Sequence, residues 1–338
     1  MAGPVTISER IDPSSPTSEA PARCPVSTHN EWDPLEEVVL GRLDGAAANS
    51  PAIAAEDTRR DLQELAALLE RHDVTVRRPE ATKHERTFET AHWKERGFSS
   101  ACPRDAVLVL GDEIIETPLA WRPRYYETDA LRTLFLSYFR AGARWTSAPR
   151  PELRDDLYEA GQGDWLGDET PPVVVTEAEP ILCAADVARC GHDLFALRTA
   201  GTNQAGIDWL RRHLCGDYRV HQLEPRRQIA GSLDTVFLPL SPRDVLIREE
   251  AFDPAAFPEA LRDYRIRVAP AGGGPMGANV LLLDPERVLV ERTETALIEA
   301  VRTWGFEPLP VALTGYEALG GSVRRATLDI RRSGSAAQ

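Results

Sequence analysis

Lysine is almost missing: of 39 basic residues only Lys83 and Lys94 are lysines, an arginine bias ascribed to a GC-rich bacterial genome rather than to function. Positive charge is scarce altogether, with 53 acidic side chains and a formal net charge of -14 over 338 residues, so the footprint needed to track a phosphate backbone is absent and nucleic acid is excluded as a partner. No G-x-G-x-x-G and no P-loop occurs; Gly272-Gly273-Gly274-Pro275 is too short and lacks the lysine, so no nucleotide cofactor is expected. The five cysteines (Cys24, Cys102, Cys183, Cys190 and Cys215) are odd in number and form no C-x-x-C pair, which excludes a disulfide framework and a zinc knuckle. There is no H-x-x-x-H and no grouped Asp and Glu at ligand spacing, so no metal is expected either. Apolar residues never run 18 together without a charge, and the N-terminus lacks the basic-then-apolar order of a signal peptide, so a soluble cytoplasmic protein with no membrane partner is expected.

What is present is a recurrence. Residues 1–22 are rich in Pro, Ser, Thr and Ala, cannot offset the entropy of being ordered, and are expected to form a mobile tail, as is the stretch 334–338. Between them, over 23–333, one scheme returns. NVLLLDPERVLVERTETALIEAVRTWGFEPLPV reads as strand, Asp284-Pro285 turn, strand, helix with apolar Leu297, Ile298 and Val301, then strand. TVFLPLSPRDVLIREEAFDPAAFPEALRDYRIRVAPA repeats the order, its helix carrying Phe257 and Leu261. AVLVLGDEIIETPLAW with TDALRTLFLSYFRAGARW gives another copy, with Leu131, Leu134, Phe135 and Phe139 on one helix face. DVARCGHDLFALR with NQAGIDWLRRHLCGDYRVHQL, and EEVVLGR with DTRRDLQELAALLERHDVTVRRP, complete five ββαβ units. Each unit leaves a face that a neighbour must cover, so the expected fold is α/β, five blades in a pseudo-symmetric ring around a central channel. The competing reading is an ordinary α+β sheet of similar hairpin-helix units.

In a ring the equivalent strand beginnings meet at the axis. The polar residues there are Asp105, Cys183, Asp186, Ser232, Asp234, the run Gly272–Gly274 just ahead of Asn279, and Arg325 in the closing segment SVRRATLDIRR. His84 and His92 lie in a loop that could cover the channel mouth or simply be solvated, whereas His192, His213 and His221 fall within strands or helices and read as structural.

Several segments resemble the glycine and inosamine-phosphate amidinotransferases: CPVSTHNEWDPLEEVVLGR, PRDAVLVLGDEIIETPLAWRPRYYE, GARWTSAPRPELRDDLY, AADVARCGHDLFALRTAGTNQAGIDWLRRHLCGDYRVH and NVLLLDPERVLV, together spanning roughly residues 24–333. The resemblance implies the five-bladed α/β propeller of the pentein superfamily and that family's tendency to dimerise, so a homodimer is among the expected partners. It also implies a thiolate that attacks the guanidinium carbon of arginine and passes the amidino group to an amine, with histidine as acid/base. Residue by residue, that machinery is replaced. Where the family reads Leu-Gly-Gly-Gly-Phe-His-Cys-Trp this chain has Leu319 to Ala326, and Arg325 stands at the nucleophile. Ser232 stands at the histidine and Cys183 at the carboxylate that orients it, while the donor-carboxylate anchors align with Gly272, Gly273 and Ala251. Asp105 and Asp234, which in the family grip the guanidinium, are retained; two expectations stay open for Arg325, that it meets both acids or that it points along the channel and captures an anionic ligand.

The resulting expectation is a divergent amidinotransferase-fold protein of antibiotic-like natural-product biosynthesis that does not catalyse ordinary arginine-dependent transfer. It acts on a small polar or amine-bearing metabolite in the channel by non-covalent acid/base or orientation chemistry. Asp105, Asp234 and Cys183 are the catalytic candidates, and Arg325, Ser232, Asp186 and Asn279 the substrate-binding ones, with no metal and no cofactor. Two other readings stay open: a silent homologue that binds a ligand or a partner enzyme, and an arginine-dependent transferase in which Cys183, its thiol acidified by Arg325, is a relocated nucleophile.

Overall fold

The computed structural model describes residues 23–44, 47, 53–81, 86–161, 165–166, 173–272 and 277–334. The tail expected over 1–22, His84, Gly273, Gly274 and all of the 334–338 tail except Gly334 lie outside the described residues.

Five three-stranded sheets share one connectivity: a central strand antiparallel to one neighbour and parallel to the other. Sheet II comprises Val107–Leu110, Glu113–Glu116 and Arg144–Ser147. Sheet III comprises Val187–Cys190, Asp193–Ala196 and Arg219–Gln222. Sheet IV is Phe237–Ser241, Asp244–Ile247 and Arg265–Val268, and sheet V is Leu281–Leu282, Arg287–Glu291 and Glu307–Val311. In sheet I the central strand Leu35–Leu40 is parallel to Thr75–Arg77, but its antiparallel partner is Thr327–Arg332, from the far end of the sequence. The Leu35 unit, which in sequence reads like the other four, has its hairpin split between the two ends of the repeat array.

Helices fill the crossovers of sheets I, II, III and V: Ala55–Arg71, Arg132–Arg140, Gln204–His213 and Thr295–Thr303. The third is capped by Asn203, whose side-chain oxygen accepts from the Gly206 amide at 2.9 Å. Gly206 lets that helix press on the preceding loop, because a Cβ there would stand 1.9 Å from the Ile181 carbonyl oxygen. Sheet IV departs from expectation: its crossover holds two 3₁₀ turns, Pro254–Ala256 and Glu259–Leu261, in place of a helix. Pro258 supplies no N–H and forces Phe257 out of the helical region, to ψ 146°, so the turns cannot join. The Arg132–Arg140 helix also differs in detail. Phe135 and Tyr138 face inward, one turn apart, while Phe139 is 56% exposed.

Apolar strand residues bury nearly completely, Phe195 and Phe237 among them, each contributing roughly 1.5–3 kcal/mol. A buried ionic network crosses this apolar mass. Glu31 receives Arg104 at 3.3 Å, Arg189 at 2.8 Å and Arg324 at 3.0 Å. Arg189 also reaches Asp329 at 2.7 Å, and Arg332 reaches Asp329 at 2.9 Å. Three guanidiniums around one carboxylate hold Glu31 ionised although burial opposes its charge. The network joins the segments leading into sheets I and II to the first strand of sheet III, and its edge touches the candidate site.

Candidate active site

Three short turns stand just ahead of first strands and each carries an acid: Pro103–Ala106 carries Asp105, Ala184–Asp186 carries Asp186, and Leu233–Thr235 carries Asp234. Arg325 lies just ahead of Thr327–Arg332 in the same relation to sheet I. Asp105, Cys183, Asp186, Ser232 and Arg325 all line one cavity of about 310 Å³. Asp234 and Asn279 do not line it.

At the floor, Asp105 Oδ2 accepts from Arg124 Nη1 at 2.6 Å and Arg325 Nε at 2.7 Å, and lies 2.7 Å from Arg325 Nη2. Arg325 Nη1 donates to the carbonyls of Leu319, at 3.3 Å, and Gly320, at 2.5 Å. Its aliphatic stem lies across Gly321, where a Cβ would meet Arg325 Cδ at 2.3 Å; the glycine is required by that close approach. Burial works against both charges, but Arg325 and Arg124 outweigh it and hold the Asp105 carboxyl below its usual range, while Asp105 keeps Arg325 protonated. Arg124 is itself buried, bridging Asp105 to Glu127 through Nε at 2.5 Å and Nη2 at 2.8 Å.

The expectation that Arg325 meets both retained acids is half corrected. Asp234 faces Arg104 at 3.6 Å and Arg324 at 3.9 Å, and its Oδ1 accepts from Ser232 at 2.5 Å. Two buried guanidiniums of the ionic network claim Asp234 before Arg325 can reach it. Asn279 is corrected similarly: its side-chain oxygen accepts from the Arg324 amide at 3.1 Å and its amide donates to the Asp234 carbonyl at 3.4 Å. It ties Arg324 to the Asp234 turn and presents nothing to the cavity. Ala251 is fully buried in the core, and Gly272 is exposed at φ +81°.

Asp186 Oδ2 accepts from Thr202 at 2.5 Å and Thr199 at 2.7 Å, and Oδ1 from the Leu233 amide at 2.9 Å. Burial nevertheless prevails, and with Asp234 nearby the carboxyl is pushed up to about 7. The thiol of Cys183 also rises, well above its ordinary value, because burial and the neighbouring Asp105 and Asp186 outweigh Arg124 and Arg325. The expected acidification by Arg325 is therefore corrected: that guanidinium's charge is already spent on Asp105. Among the described residues no histidine lines the cavity; His213 pairs with Glu113 at 3.0 Å, His221 with Asp193 at 2.6 Å, and His92 lies 3.4 Å from Glu152. Among the described residues no three His, Cys, Asp or Glu side chains converge as a metal site would need, and no helix is long and apolar enough to cross a membrane.

Sequence reasoning missed four contributors. Arg124 and Trp121 lie within the quoted ETPLAWRPRYYE stretch, where Glu127 three residues after Arg124 was the available signal. Arg248 lines the cavity paired with Glu250 at 2.7 Å, and the Thr199–Thr202 turn grips Asp186; neither has a spacing that marks it.

Five sheets of one connectivity with a cavity at their strand beginnings agree with the pentein fold that the resemblance implies. The comparisons narrow it. No family model matches, but the L-arginine:L-lysine amidinotransferase of Pseudomonas savastanoi pv. phaseolicola is 37% identical over 92% of this chain and 95% of its own. Inosamine-phosphate amidinotransferase 1 of Streptomyces griseus is 36% identical over 91% of this chain and 97% of its own. Among solved structures, SxtG, an amidinotransferase of the saxitoxin biosynthetic pathway from Microseira wollei, superposes with a TM-score of 0.85 at 38% identity, covering 93% of this chain and 99% of SxtG. The chain belongs to the amidinotransferase family.

Proposed function

We propose that this protein is a divergent, biosynthetic amidinotransferase-family member that does not transfer an amidino group from arginine, and that its cavity instead binds a small polar metabolite and acts on it without a covalent intermediate. On this reading the five sheets are blades around a channel whose floor is the Asp105 turn. The observation that carries it is the Arg325–Asp105 pair: a guanidinium of the protein itself is seated on the carboxylate that would hold a substrate guanidinium. An arginine side chain offers no nucleophile, and a serine cannot relay protons near neutrality as imidazole does. Asp186, titrating near 7 in the cavity wall, is the group suited to acid/base work there. A pathway role in small-molecule biosynthesis is supported by relatives named for saxitoxin and inosamine-phosphate chemistry.

The test is amidino transfer from guanidino-labelled arginine to lysine or glycine. The unmodified protein should give no product and no labelled protein, whereas the triple variant R325C/S232H/C183D should acquire label. Transfer by the unmodified protein, or protein labelling abolished by Cys183→Ala, would overturn the proposal in favour of the relocated nucleophile.

A further inference from the structure

The class of ligand can be taken one step further, on the footing of the proposal above. Of the charged side chains that line the cavity, Asp186 is the one without an opposite charge beside it among the described residues. Arg124 lies between Asp105 and Glu127, Arg325 is seated on Asp105, and Arg248 is on Glu250 at 2.7 Å. Asp186 has only the Thr199 and Thr202 hydroxyls and the Leu233 amide, and that amide joins its turn to the one that Ser232 opens.

Ser232 is partly exposed and lines the cavity, and its single hydroxyl hydrogen is committed to Asp234 Oδ1 at 2.5 Å. Thr235 gives its hydrogen to the Ser232 carbonyl at 2.7 Å, and Thr199 gives its own to Asp186 at 2.7 Å. A hydroxyl has one hydrogen and two lone pairs, so these three side chains can only accept from a ligand. Such a wall calls for a hydrogen-bond donor, and the uncompensated acid behind it calls for a positive one. In a site shielded from water an ammonium gains from both. With Asp186 titrating near 7, an arriving cation expels the proton that the carboxyl still holds.

A carboxylate on the same ligand meets the reverse. Every guanidinium in the lining is already paired, so the anion would lose its hydration without gaining a partner. The remaining lining is apolar: Leu119, Leu166, Ile229 and Val236, with half-exposed Trp121 standing against Phe98 at a ring-centroid distance of 4.7 Å. About 310 Å³ is at the small end of ligand cavities, room for one compact body.

We infer that the cavity takes a primary amine with a compact apolar body and no carboxylate, its ammonium donating to Ser232 Oγ with Asp186 as counter-charge, and that it discriminates against amino acids. Asp186 and Ser232 are the specificity-determining residues.

The experiment is calorimetric titration of the full-length protein near neutral pH with two matched series, phenethylamine, phenylalanine and 2-phenylethanol, and pentylamine, norleucine and pentan-1-ol. Each series keeps one body, aryl or alkyl, and adds a carboxylate or removes the charge. In at least one series the amine should bind saturably and at least about tenfold more tightly than its amino acid and its alcohol. Its binding heat should differ between buffers of low and high ionisation heat, because a proton leaves Asp186. Asp186→Asn should weaken the amine at least about tenfold, remove the buffer dependence and leave the alcohol unchanged. Ser232→Ala, at a partly exposed position, should weaken the amine at least about threefold. No saturable binding of either amine, a preference below about tenfold, a buffer-independent heat, or unchanged amine binding in either variant overturns the inference. None of these results bears on label transfer from arginine, so the proposed loss of that reaction stands or falls separately, on the labelling experiment.

Discussion

Replacing Asp186 by asparagine should make the protein more stable in alkaline solution and change the shape of its stability curve. The carboxyl is 1% exposed and displaced from 3.8 to about 7. Its folded-state pKa lies above the unfolded one, so the folded form holds the proton longer. Ionisation of the unfolded chain therefore erodes stability from about pH 4 upward, and the loss levels off above about 7. At about 1.4 kcal/mol per decade the full penalty is on the order of 4 kcal/mol. Between about pH 5 and pH 8 it amounts to about 3 kcal/mol, since part is already incurred at pH 5. Asparagine keeps one acceptor for Thr199, Thr202 or the Leu233 amide, and the hydroxyls can rotate to accept from its NH₂, so its own cost is about 1 kcal/mol and independent of pH. Urea unfolding of both proteins at the two pH values gives the difference directly. Other titrating groups act on both proteins alike and cancel. The protein with Asp186 should lose about 3 kcal/mol relative to Asp186→Asn on going from pH 5 to pH 8. A flat difference would mean that the two threonines and the amide hold the carboxylate ionised, and Asp186 would lose its standing as an acid/base group.

Two further outcomes follow from buried groups. With iodoacetamide at about pH 8, the exposed Cys215 should be alkylated at least about tenfold faster than Cys183, as mapped by peptide mass, because the raised Cys183 thiol supplies little thiolate; equal or faster labelling of Cys183 would bring back the relocated nucleophile. Glu31→Gln leaves Arg104, Arg189 and Arg324 around a neutral amide and should cost about 3–5 kcal/mol in calorimetry; a loss below about 1 kcal/mol would show that the network relaxes or hydrates.

The repeat was legible because each unit is local: a β-branched run, a tight turn, a second run and an amphipathic stretch within a few tens of residues. What stayed hidden was whatever depends on distant partners. Nothing in EEVVLGR says that Leu35–Leu40 takes Thr327–Arg332 as its antiparallel neighbour. The sheet IV crossover was misread although Pro254 and Pro258 were in view, because Phe257 and Leu261 satisfied the apolar spacing and outweighed the missing N–H groups. At the site, the strand-beginning rule brought Asp105, Cys183, Asp186, Ser232 and Arg325 together, as the cavity lining shows. It failed for Asp234 and Asn279, whose partners, Arg104 and Arg324, look in sequence like ordinary surface arginines. Buried arginine carries no periodic signature; only the carboxylates that neutralise it reveal it.

The split hairpin of sheet I has a consequence for assembly. Arg325 comes two positions ahead of the strand that completes that sheet, so the guanidinium reaches Asp105 only when the returning chain has docked beside Leu35–Leu40. Until then the acid lacks one of its two counterions and the hollow has no back wall. Completion of the pocket and fastening of the latch are thus one event, and any molecule that lodges in the finished hollow tightens the clasp between the first and last strands.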